Sequence, residues 1–143
     1  MSTNKLNSKT SLFVFAVIFA MTSCGSSKKV AFEPSTVNPS AEGRIKAKKD
    51  KNNNYALDIS VVNLSDPQRL SPPRKSYVVW METENGTKNI GQVNSSKGMF
   101  SKTRKASLTT VSNVKPIMIF VTAEDDPKIE YPGTQTVLTT RSF

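Results

Sequence analysis

The side chains able to do chemistry in this sequence are few, and their types exclude more than they allow. Histidine is absent and there is a single cysteine, Cys24, so zinc fingers, Ser-His and Cys-His catalysis and disulfides within this chain are ruled out. No recognisable nucleophile motif is present, so no catalytic residue and no cofactor is expected. Four acids crowd one stretch, Glu124, Asp125, Asp126 and Glu130, and offer the oxygen donors that calcium prefers. Their spacing matches no calcium-binding loop, so they read as a solvated loop and no metal site is expected. The basic residues say more. Arg44, Lys46, Lys48, Lys49 and Lys51 stand in one segment and Lys102, Arg104 and Lys105 in another. If the two segments share a sheet face, Arg44, Lys46, Lys48, Lys102 and Arg104 form a patch suited to anionic lipid, lipopolysaccharide or polymer phosphate. The plainer reading of the same residues is a lysine-decorated edge strand that discourages aggregation.

What precedes Cys24 gives its thiol a specific task. Lys5 and Lys9 are followed by the unbroken apolar run LFVFAVIFAM at residues 12–21, then by MTSC ending at Cys24. A bilayer-spanning helix needs roughly 20 apolar residues, so this run is too short to span and suits the hydrophobic region of a signal peptide. MTSC resembles the lipobox of bacterial lipoproteins, in which the lipidated cysteine becomes the first mature residue; Met21 stands where leucine is commoner. Each buried CH₂ of the acyl chains contributes about 0.8 kcal/mol, so several chains make an effectively permanent anchor. Gly25 occupies the position where, in enterobacteria, an aspartate would resemble an inner-membrane retention signal, which favours the outer membrane facing the periplasm. Removal of Lys5 and Lys9 with the signal lowers the formal charge from +9 to +7. A nucleic acid would suit that charge, but the export signal argues against one.

The elements that position these residues are strands. Residues 76–93 carry the clearest pattern: an apolar β-branched and aromatic run at 77–82, Asn85-Gly86 as the two positive-φ positions of a type I′ turn, and a return strand from Ile90. Trp80 is expected to fill the space between two sheets. Gly43, Ile45 and Ala47 alternate with Arg44, Lys46 and Lys48, and Tyr55, Leu57, Ile59 and Val61 alternate with polar residues, so each segment reads as a half-buried strand. The intervening DKNNN at 50–54 is turn chemistry. Prolines 67, 72 and 73 make 64–75 a loop, and 94–98 reads as a polar turn. In the next strand, 99–108, Lys102 and Arg104 share parity with Phe100, Ala106 and Leu108, which implies a bulge or bases lying beyond the rim of the core. Residues 117–123 (IMIFVTA) are apolar on both faces, and 134–140 (TQTVLTT) form a last strand after an acidic, proline-rich loop. About seven short strands without a helical period argue an all-β, antiparallel β-sandwich.

Several of these segments resemble the C-terminal extracytoplasmic domain of anti-sigma-K factor-like proteins. They are AEGRIKA from Ala41, LSDPQRLSPPRKSYVVW at 64–80, the NGTKNIGQV return, and PIMIFVTAEDDPKIEYPGTQTVL at 116–138. The matching positions are Tyr77 and Trp80, Gly91, Val121 with Thr122, and Pro132 with Gly133. The resemblance implies an immunoglobulin-like sandwich with no catalytic residues. The sigma-binding helical domain and spanning helix of such factors do not stand in these residues, so an outer module carried on a lipid is what the resemblance implies here.

The expected organisation is therefore a lipoprotein signal peptide at 1–23, a flexible tether at 24–40 beginning with lipidated Cys24, and a β-sandwich at 41–143. The tether assignment rests on Pro34, Pro39 and a serine-rich composition, with Lys28 and Lys29 held near the head groups. The expected function is that of a non-enzymatic, membrane-anchored envelope protein serving as an interaction or structural module, with an envelope protein as partner. The alternative is a sensory or ligand-binding module that reads anionic envelope material through its basic face.

Overall fold

A computed structural model of the protein describes residues 26–97 and 104–143. The described residues form nine strands: β1 (Ser27–Ala31), β2 (Glu42–Lys49), β3 (Tyr55–Val62), β4 (Ser76–Thr83), β5 (Gly86–Gln92), β6 (Asn94–Lys97), β7 (Arg104–Ser112), β8 (Met118–Glu124) and β9 (Thr136–Thr139). They make one sheet in the order β1-β2-β3-β7-β6 and a second in the order β5-β4-β8-β9, with every pairing antiparallel. This is the all-β sandwich the alternation predicts. The core between the sheets is built from Ile45, Leu57, Ile59 and Val61 on one side and Val79, Met81, Ile119 and Val121 on the other.

Three expectations need correction. The segment read as a flexible tether is part of the fold: β1 pairs along its whole length with β2, from Ser27 opposite Lys48 to Ala31 opposite Arg44. The chain then crosses to the other sheet, where Phe32 bridges Thr140, the Glu33 amide donates to the Thr139 carbonyl and the Ser35 hydroxyl donates to the Val137 carbonyl. Phe32 is buried, and a Cβ on Gly43 would fall 2.6 Å from its ring, so the glycine is what lets this crossing lie flat. Composition pointed to a tether because an edge strand is held by backbone bonds, which leave little mark on side-chain pattern. For the same reason the polar residues 94–97, read as a turn, form β6 along β7. The strand count thus rises from seven to nine.

The second correction concerns the β4–β5 turn. Thr83 pairs with Gly86, Glu84 and Asn85 form the loop, and Gly86 takes φ +103° while Asn85 does not take a positive φ. A type I′ turn requires positive φ at both central residues; this arrangement instead matches a loop closed by a glycine bulge. The Thr83 hydroxyl donates to the Gly86 carbonyl and accepts from the Asn85 amide, fixing the loop locally.

Third, Trp80 is wholly buried but does not lie between the sheets. Strand pleating alternates sides, and with Tyr77, Val79 and Met81 in the core, Trp80 points to the opposite face, beside Phe120 at a ring separation of 6.4 Å. Its indole N–H donates to the Thr122 hydroxyl at 2.7 Å, and that hydroxyl donates to the Glu124 carboxylate. Glu124 also accepts from the Gly133 amide, and the Asn89 side chain donates to the carbonyls of Pro127 and Ile129, so the 125–135 loop is fastened over this face. Trp80→Ala leaves a large hole beneath that loop and is expected to cost about 3–5 kcal/mol in a denaturant titration. A midpoint that barely moves would show that the loop does not seal the indole from water.

Candidate functional site

The outward face of the β1-β2-β3-β7 sheet carries the basic residues. In β2 the pattern alternates without interruption: Ile45 and Ala47 enter the core while Arg44, Lys46 and Lys48 project into solvent. The pairing register extends these positions into rows across the sheet. One row holds Ser27, Lys48, Ala56 and Val111, the next Lys29, Lys46, Asp58 and Thr109, and a third Ala31, Arg44, Ser60 and Ser107. Lys28, Lys49 and Lys51 surround the end of the sheet where β1 begins, and Lys49 lies 5.8 Å over the Tyr55 ring.

Two features of this face matter chemically. Lys29 and Lys46 stand directly opposite each other, a like-charge cross-strand pair that is unfavourable unless an anion lies nearby. Asp58, on the far side of Lys46, is the one acid in that row, and it also accepts from the Thr109 hydroxyl. A depression of about 690 Å³ lies at the β1–β2 seam, with Lys29, Arg44, Ala31, Ser60 and Val62 among its lining residues. Glu33 and Glu42 close the end of it away from Lys48. At the turn itself, Asp50 accepts from the amides of Asn52 and Asn54, the latter bond being the largest influence that holds its carboxyl below the ordinary value, and Asn53 adopts the left-handed conformation expected of this segment.

Of the residues expected to form the patch, Arg44, Lys46 and Lys48 do share one face, whereas Arg104 does not join them. It lies on the inward parity of β7, with Ala106 and Leu108, at the rim of the sandwich, and its guanidinium approaches the Asp66 carboxylate to 3.6 Å. The rim position was one of the two alternatives its parity allowed. Lys105, not Arg104, occupies the outer face of β7. Lys102 and Cys24 lie outside the described residues. Lys29 is the residue that sequence reasoning misplaced: it belongs to this face through β1, and only the pairing register reveals it.

Arg104 instead helps line a cavity of about 340 Å³ at the opposite end of the sheet, with Asp66, Tyr77 and Gln92 among its walls. The Tyr77 hydroxyl donates to the Ser65 carbonyl, and burial together with the Asp66 charge pushes its ionisation up to about 12. The acidic loop residues are dispersed to separate tasks: Glu124 is buried on the Trp80 face, bonded to Thr122 and Gly133, Asp125 pairs with Arg74 at 2.8 Å, and Asp126 accepts from the Lys128 amide. Among the described residues no group of three potential ligands is arranged to hold a metal ion, and no helix is long and apolar enough to cross a membrane. Comparison with protein-family models, with curated proteins and with solved structures finds no match.

Tyr77 makes the cavity end testable. Because its phenol ionises near 12 when folded and near 10 when unfolded, its contribution to stability is complete below pH 10 and disappears as pH rises toward 12. The wild type is therefore expected to lose more stability than Tyr77→Phe across that window in parallel denaturant titrations. Equal losses would show that the hydroxyl is open to solvent.

Proposed function

We propose that this protein is a non-enzymatic, lipid-anchored component of a bacterial cell envelope, whose β-sandwich serves as an interaction or structural module. The observation that carries this reading is the placement of the lipobox-like MTSC: only Gly25 and Ser26 separate Cys24 from the first paired residue of β1. A signal-like segment, a lipidation motif and a folded domain follow one another with almost no intervening chain. Acyl chains on Cys24 would hold the domain at the bilayer surface without spanning it. Gly25 favours the outer membrane, on its periplasmic side.

The resemblance to the extracytoplasmic domain of anti-sigma-K factor-like proteins supports a role in contacts and not in turnover. Tyr77 and Trp80 in β4, Gly91 in β5, and Val121 with Thr122 in β8 occupy three adjacent strands of one sheet, which suits an immunoglobulin-like framework.

Labelled palmitate is expected to enter the wild-type chain and to be missing from Cys24→Ala, which should move from the membrane to the soluble envelope fraction. Equal membrane retention of the two chains would overturn the anchor.

A further inference from the structure

We infer that the β1–β2 side of the five-stranded sheet lies against an anionic phospholipid bilayer, so that the anchored domain is held in one orientation by charge. The inference rests on the lipid-anchored reading and adds which surface meets the membrane. Three residue steps join Cys24 to Ser27, and an extended chain covers at most about 3.6 Å per step, so β1 begins within roughly 11 Å of the anchor. Ser27 lies opposite Lys48, which places the basic end of the sheet at the anchor.

The composition of that end fits an interfacial contact. Lys28, Lys29, Lys46, Lys48, Lys49 and Lys51 are all exposed there, with Asp50 and Asp58 as the nearby acids of the same sheet. In the row next to the anchor, Val111 is 65% exposed and stands across from Ala56, which in turn stands across from Lys48, giving the face a small apolar component at the margin of its charges. Asp58, across from Lys46, is the one acid set against the facing Lys29–Lys46 pair, and among the described residues neither lysine makes a salt bridge, so lipid phosphates would supply the missing counter-charge. The second sheet carries no such excess of positive charge at this end. Its β4–β5 turn lies at the same end, because the Glu82 carbonyl accepts from the Ile117 amide after β7, and there Glu82 and Glu84 offset Lys88 and the exposed Lys115. Attraction therefore tilts the molecule onto the β1–β2 face and keeps the second sheet away from the lipid. Surface potentials act within about 8 Å at physiological ionic strength, so the rows of Lys48 and Lys46 engage before that of Arg44.

The test uses the full chain, purified from membranes and reconstituted into vesicles of phosphatidylcholine alone or of phosphatidylcholine with phosphatidylglycerol. Labelling by a water-soluble amine reagent, read by mass spectrometry, should be severalfold slower at Lys29, Lys46 and Lys48 in the anionic vesicles, with Lys75, Lys88 and Lys128 unchanged. At about 1 M salt, where the screening length is about 3 Å, the difference should vanish. A Lys29, Lys46, Lys48→Gln chain should label Lys28 and Lys49 at the same rate in both vesicle types, with unaltered Trp80 fluorescence reporting the fold. Protection equal at every lysine, or retained by the Gln chain, overturns the inference. Flotation with neutral vesicles reports the anchor separately, because only the acyl chains bind those. A wild type that fails to float with them counts against the anchor, while the site-by-site labelling in anionic vesicles still decides the orientation.

Discussion

Strand β4 is buried on both sides of its sheet, and that constraint shapes the molecule around it. Tyr77, Val79 and Met81 face the core, while Val78 and Trp80 face the other way and are equally hidden. An indole N–H enclosed without a partner would cost about 1–3 kcal/mol, and the Thr122 hydroxyl removes that penalty. The same hydroxyl passes a hydrogen bond to Glu124, whose carboxylate holds the Gly133 amide and with it the far end of the 125–135 loop. Arg74, bonded to Asp125 and Gln135, ties in the loop that leads into β4. The four-stranded sheet therefore spends its outer face on self-cover. What is left as an open sheet surface is the outer face of the five-stranded sheet, where the lysines are.

That division was partly legible in the residues. β2 and β3 announce themselves because one side of each is wet, so polar and apolar residues alternate strictly; Ile45 and Ala47 against Arg44, Lys46 and Lys48 is the clearest case. β4 and β8 are legible as strands but not in their surroundings. A strand covered on both sides loses its alternation whichever layer does the covering, so the sequence of 77–82 cannot say whether Trp80 looks into the sandwich or beneath a loop. β1 and β6 were missed because their ladders use backbone groups that every residue carries. SKKVA and NSSK hold too few apolar residues to show a period.

The candidate site was legible to a similar depth. Three basic residues on one strand follow from period two alone, and Arg44, Lys46 and Lys48 lie together as that period requires. Joining a second segment to them needs register and parity, which depend on tertiary pairing. Arg104 failed on parity: a residue in step with Ala106 and Leu108 points inward, and at the rim it meets Asp66 instead of the basic face. Lys29 entered through register, since its place opposite Lys46 exists only because β1 pairs with β2.

Among the described residues strand pairing begins at Ser27, so the proposed anchor at Cys24 would leave at most a three-residue reach between bilayer and sandwich. A flexible tether through Ser40 would behave differently, its mean span for some sixteen residues being roughly 20–24 Å. Neutron reflectometry on the protein purified from membranes and inserted into a supported bilayer measures this separation directly. Protein density is expected to start within about 11 Å of the head groups, the reach of three residues. A water-filled gap of about 20 Å or more between head groups and protein would contradict it.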